Sequence, residues 1–191
     1  MRKIGTGKLI LTGANTYGGG TAVESGILLV NNSTGSGTGT GNVSVTGGTF
    51  GGAGIVAGRV YIGTGTGTGL GAILAPGKSG VKPGTLTIQQ SLILQPDATY
   101  RVTLDSRIRR ADQVSAFGIS IRNASILFND VGANVIPVGS VFTVINNTRP
   151  TPIIGTFANL ADGSTVTIGS NTFQANYEGG DGNDLTLAVV P

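Results

Sequence analysis

The chain has 191 residues and a net charge of +3, from twelve Lys and Arg against nine Asp and Glu, which is too weak a basic excess to mark a nucleic-acid binder. It has no His, Cys or Trp, which removes imidazole bases, thiol nucleophiles, Ser-His-Asp triads, disulfides and ordinary zinc sites. With 34 glycines, 11% charged residues and a hydrophobic share of 39% spread over short runs, the composition excludes long helices and predicts an all-β chain of many brief strands.

The first predicted strands fall at residues 9–11, 21–23 and 27–30, each closed by Gly- or Asn-rich corners that reach left-handed backbone conformations cheaply. Further apolar runs follow at 43–45, 60–62, 73–74 and 86–88, at irregular steps of somewhat under about twenty residues, the period of a solenoid coil. Val43, Val45, Val60 and Ile62 are expected to face inward and Ser44 outward. The Gly/Thr tracts 33–41 and 63–71 read as corners or short loops rather than linkers, because strands resume at once on either side. Thr64, Thr66 and Thr68 do not make a flat recognition ladder, which needs threonine at one place in successive coils. No segment reaches the roughly eighteen apolar residues of a membrane-spanning helix. Met1, Arg2 and Lys3 run straight into the first strand without a signal-peptide pattern, so a piece of a longer exported protein is expected.

Composition shifts near Asp97. Most glycines precede it, whereas Tyr100, Phe117, Phe128, Phe142, Phe157, Phe173 and Tyr177 follow it. Residues 1–96 are therefore expected to form glycine-rich coils, and 97–191 to continue them into a better-filled C-terminal part, the two making one elongated domain. Phe142, Phe157, Phe173 and Tyr177 are the expected core of a C-terminal β cap, because an otherwise open last coil needs apolar cover. The last strand is expected at 185–190, after a tight turn.

Several stretches carry a family resemblance. Gly5, Gly7, Leu9, Leu11 and Gly13, then Asn15, Thr16, Tyr17, Gly19 or Gly20, Thr21 and Val23, then Gly26, Leu28 and Val30 resemble the passenger-associated repeat of bacterial autotransporters. Ala75-Pro76-Gly77-Lys78-Ser79 with Gly84 to Ile88, Asp112-Gln113-Val114 with Gly118, residues 139–146, and Gly155-Thr156-Phe157 with 177–187 resemble later segments of such passengers. The resemblance implies a single-stranded right-handed parallel β-helix, or β-solenoid, whose C-terminal portion caps the helix and helps nucleate folding at the bacterial cell surface. It also implies a secreted or surface location, with neighbouring passenger coils and a translocator barrel or other anchor as partners. Arg107 to Arg110 depart from the small or polar residues usual before the Asp-Gln step.

The chain is expected to be a non-catalytic stalk and folding cap that needs no cofactor. Arg107, Arg109 and Arg110, with Arg101 and Arg122 as possible neighbours, are the candidate binding residues for a glycan or another anionic surface, in an adhesin-like alternative. No aromatic residue interleaves them as a nucleic-acid stacking platform requires. Head-to-tail self-association into filaments is a third reading, since a cut coil exposes unpaired ladder groups. Residues 179–187, GGDGNDLTL, resemble one calcium-binding nonapeptide, with Asp181 and Asp184 as weak ligand candidates. Such sites form between consecutive copies, and a single copy reads better as a turn. Only carboxylate chemistry is conceivable, at Asp105 with Asp112 or Asp181 with Asp184, and neither pair has aromatic residues around it to hold a sugar ring.

Overall fold

A chain of brief apolar strands separated by glycine corners can bury its side chains only by laying each strand beside another, and the computed structural model has that arrangement. It describes residues 1–66, 70–78 and 82–191, which form twenty strands and no helix. Thr68 and Ser79 lie outside the described residues.

The chain visits three sheets in a fixed order. β1 (Arg2–Lys3) and β2 (Lys8–Leu11) open the first and second sheets, and β3 (Thr21–Val23) and β4 (Ile27–Val30) stack on them in parallel. The third passage comprises β5 (Val43–Val45), β6 (Gly47–Gly52) and β7 (Ile55–Val56), the last opening the third sheet. The fourth comprises β8 (Val60–Ile62), β9 (Leu70–Pro76) and β10 (Thr85–Ile88). In the fifth, β11 (Leu92–Leu94), β12 (Ala98–Asp105) and β14 (Gln113–Ala116) continue the three sheets, while β13 (Arg110–Ala111) folds back antiparallel on β12 as a small hairpin. The sixth comprises β15 (Ile119–Ile121), β16 (Ser125–Asp130) and β17 (Val141–Asn147). The direction then reverses. β18 (Thr165–Ile168), β19 (Asn171–Gly179) and β20 (Asp184–Val190) form an antiparallel run, with β20 laid antiparallel on β17. This all-β, mainly parallel architecture is consistent with a β-solenoid.

Register makes the core. In the second sheet Leu9, Leu28, Phe50, Leu74, Tyr100 and Ile126 are successive Cα partners, and all but Leu9 are buried. In the first sheet Val23, Val45, Ile62, Leu94 and Ile121 make a matching file, as do Val43, Val60, Leu92 and Ile119. Val43, Val45, Val60 and Ile62 face inward and Ser44 outward, as alternation predicts. Each fully buried Val, Leu or Phe of these files contributes roughly 1.5–3 kcal/mol relative to exposure. One residue breaks the file: Lys3 pairs with Val23, and its Nζ turns to the corner carbonyls of Ile4, Gly5 and Ser25 at 2.9, 2.7 and 3.1 Å.

The entry to the second sheet is one place where glycine has a structural reason. Gly5, Gly26, Gly48 and Gly71 occupy it in four successive passages, with φ of 72°, 73°, 74° and 71°. A Cβ at Gly26 would lie 2.3 Å from the Gly5 carbonyl oxygen, and one at Gly48 would lie 2.5 Å from that of Gly26. Both the left-handed backbone and the close stacking therefore require glycine.

The structure corrects three expectations. The steps are longer and less even than expected: Val43 pairs with Val60, but Val60 pairs with Leu92, and the extra chain falls in the connections after Ile62 and Pro76. The aromatic asymmetry is weaker, because Phe50 is wholly buried in the glycine-rich part while Phe117 is 50% exposed. Leu9 and Ile10 form a strand as predicted, yet they are 38% and 45% exposed because β2 has a neighbour on one side only.

Candidate functional site

The four aromatic residues singled out near the C-terminus converge. Phe173 on β19 meets Phe142 on β17 edge to face, with centroids 5.9 Å apart and planes at 73°, and both are buried. Phe157 stacks on Tyr100 at 6.0 Å and 18°, joining the connection after the sixth passage to the inward file of the second sheet. The Tyr100 hydroxyl crosses the core to donate to the Val144 carbonyl at 2.7 Å, and burial pushes its pKa well above the usual phenol value. Tyr177 donates to Leu160 O at 2.7 Å and accepts from Phe157 N at 3.1 Å, and burial pushes its pKa up to about 12. The segment 157–160 is thus pinned from both sides by ring packing and a phenol.

The arginine cluster separates. The 105–111 hairpin puts Arg107 back onto Asp105, Nε to Oδ1 and Nη2 to Oδ2 both at 3.0 Å, and this pair holds the Asp105 carboxyl below its usual range. Arg109 sits at the tip with φ 50°, and Arg110 is on β13. Arg109 and Arg110 line an open groove with Thr85, Gln113 and Phe142. Arg122 is not part of this cluster: it lines a separate groove, on the first sheet, with Arg149.

The carboxylates named as ligands or catalytic pairs serve local geometry. Asp181 is exposed in the turn between β19 and β20, whereas Asp184 Oδ1 points inward and accepts from Asn147 N at 2.8 Å. Burial raises the Asp184 pKa, and the neighbouring Asp181 charge adds to it. Gly180 and Gly182 take φ of 62° and 104°, and Gly182 N donates to Gly179 O at 2.9 Å, so the sequence GGDGND closes a hairpin. Asp112 is almost wholly buried and receives Gly84 N on Oδ1 at 3.0 Å and Thr103 N on Oδ2 at 2.9 Å. Burial pushes its pKa up to about 6 against the pull of these donors.

Sequence reasoning missed a set of polar side chains that stitch one passage to the next. Asn31 and Asn32 accept from Ala53 N and Ile55 N at 3.0 and 2.9 Å, and Asp97 accepts from Thr64 N and Gly65 N at 2.8 and 2.9 Å. Asp130 accepts from Ser106 N at 3.1 Å, and Ser106 Oγ accepts from Asn134 N at 2.8 Å. Asn159 is bidentate: its Oδ1 accepts from Ile126 N at 2.9 Å and its Nδ2 donates to Ile126 O at 2.8 Å, replacing a missing strand beside β16. Asn171 does the same at the 134–136 loop, from Ile136 N at 2.6 Å and to Asn134 O at 2.8 Å. For Asn31 and Asn32 the available signal was their place one and two residues beyond a predicted strand, where orphan backbone donors collect.

Stacked parallel passages, polar corner stitches and an aromatic-filled antiparallel end define an all-β class of mainly parallel strands, consistent with a β-solenoid. Residues 1–30 match the family model described as passenger-associated-transport-repeat. They span β1 to β4, and the matched Gly-x-Leu-x-Leu at 7–11 lies in register on Gly-x-Leu-x-Val at 26–30, so the repeat is one strand length stacked on itself. The match is consistent with an autotransporter passenger repeat over those residues. No curated protein matches the chain.

Proposed function

We propose that the chain is a right-handed parallel β-helix that serves as the non-catalytic stalk and folding cap of a passenger displayed at a bacterial surface. Handedness follows from the rule that parallel strands of one sheet are joined by right-handed crossovers. The observation that carries the reading is the change at β17, where parallel stacking gives way to the antiparallel β18–β20 run over a core of Phe142, Phe157, Phe173 and Tyr177. An end built this way stabilises the last passage without another coil beyond it, and it lets the preceding passages add onto an already ordered template. Ordering outward from that end biases export by opposing back-sliding. In this reading the partners are further passenger coils and a translocator or other anchor. The carboxylates hold corners, and no chemistry is assigned to them.

Hydrogen exchange on the whole chain tests the reading. The slowest amides should belong to β17, β19 and β20, and Phe157→Ala or Phe173→Ala should accelerate exchange in the first three passages as well. Slowest exchange in β3 to β8, indifferent to these substitutions, would refute a C-terminal folding template.

A further inference from the structure

The outer face of the first sheet carries a groove distinct from the arginine hairpin. Its floor is the outward file of β11 and β15, where Ile93 pairs with Ser120, extended by Ile154, which bridges to Ser120 in parallel. Arg122 and Arg149 both line it, Ser91 and Thr151 add hydroxyls, and the enclosed space is about 230 Å³. No carboxylate lines the groove, and neither arginine makes an ion pair among the described residues.

The Arg149 wall is built in advance. Its guanidinium lies 6.0 Å from the Phe117 ring centroid, and its Cδ passes 3.4 Å from where a Cβ on Gly118 would sit. The loop that carries it is tied at three points by buried Asn147, whose Oδ1 accepts from Gly118 N at 3.2 Å and Arg149 N at 3.3 Å and whose Nδ2 donates to Thr151 O at 2.6 Å. Asn183 Nδ2 adds a bond to Arg149 O at 2.8 Å. Pro150 and Pro152 fix two further φ angles. An exposed cation held this firmly loses little side-chain freedom when it binds an anion.

We propose that this groove binds a carboxylate-bearing sugar of an acidic glycan. Two guanidiniums lining one groove beside a floor of one hydroxyl and two isoleucine side chains match a hexuronate ring. The ring's C–H face can lie on Ile93 and Ile154, its hydroxyls can reach Ser91, Ser120 and Thr151, and its planar carboxylate fits the forked donors of an arginine. An acidic peptide is the poorer fit. It would gain most by adding a strand, but the ladder edge of β15 is already taken, with Ile121 N donating to Ile154 O at 2.7 Å and Ile154 N to Ile119 O at 3.0 Å. The site goes beyond the stalk reading and does not depend on it.

The test is fluorescence polarisation with a labelled galacturonate tetrasaccharide on the whole chain. Wild type should bind saturably, the neutral galactose tetrasaccharide should not compete, and Arg122→Gln with Arg149→Gln should weaken binding about tenfold or more. Arg109→Gln with Arg110→Gln should bind like wild type. Phe117→Leu, which keeps the bulk and removes the ring, should weaken binding without changing the melting temperature of the chain. Absence of saturable hexuronate binding would overturn the proposal. So would equal loss in the Arg109/Arg110 variant, or a poly-glutamate peptide that binds as tightly and depends on the same two arginines.

Discussion

Asp112 should contribute a pH dependence of stability opposite to the usual acid response. Its carboxyl is nearly sealed from water, and burial pushes its pKa up to about 6, whereas the unfolded chain should show about 3.8. A raised folded-state pKa in an acid means that the native state holds the proton more tightly. The stabilisation is therefore fully present below the unfolded value and is lost as pH rises through the folded one. The full difference is about 3 kcal/mol, of which roughly 2 kcal/mol disappears between pH 4 and pH 7. For a domain of this size that corresponds to a fall of about 5–10 °C in melting temperature over the same interval. Asp97 and Asp105 are shifted downward, so their contributions fade only below the unfolded carboxylate range and do not mask the slope. Asp112→Asn removes the titration but sets an amide N–H₂ against Gly84 N or Thr103 N, an unpaired donor that costs about 1–3 kcal/mol at every pH. Urea denaturation at pH 4, 5, 6 and 7 on both proteins is the assay. Wild type should lose stability as pH rises, and the variant should be flatter and lower. Parallel pH profiles for the two proteins would refute the reasoning, because the slope would then belong to other groups.

Four more outcomes are expected. Phe157→Ala and Phe173→Ala should each destabilise by about 3–5 kcal/mol in urea melts, and unchanged midpoints would remove these rings from the core. Gly48→Ala should cost about 2 kcal/mol or more, since its Cβ would meet Gly26 O at 2.5 Å in a left-handed backbone. Gly163→Ala, equally left-handed at φ 72° but with nothing within 4 Å, should cost only about 1–2 kcal/mol, so equal losses would deny the stacking contribution. Asn159→Leu should lower stability by about 1 kcal/mol and increase concentration-dependent association in sedimentation velocity by baring the β16 edge. Calcium and a chelator should leave the melting temperature unchanged; a rise with calcium would return Asp181 and Asp184 to consideration as ligands.

The strands at 21–23, 27–30, 43–45 and 60–62 were legible because alternation and glycine corners are local signals. The burial of Phe142, Phe157, Phe173 and Tyr177 follows the same logic, since large apolar rings in a chain poor in them have few places to go. The fate of the arginines was not legible. Arg107 pairs within its own hairpin, while Arg149 meets Phe117 only because β14 and β17 lie side by side, and sequence spacing carries no trace of that pairing. Asp112 looked like a motif residue or half of a carboxylate pair. Its burial depends on Gly84 and Thr103, which the neighbouring passage and strand supply. Local chemistry thus fixed the elements, and the uneven lengths of the connections decided which polar side chains would meet.

The three ladder edges of the sixth passage are occupied by three unlike devices: Ile154 beside β15, the Asn159 amide beside β16, and antiparallel β20 beside β17. A second molecule that approached this end would have to displace all three at once, since no single substitution opens more than one sheet. Growth at this end would therefore need a different kind of displacement in each sheet, and the strand edge that the antiparallel run itself presents is the outer side of β18, which pairs with β19 alone.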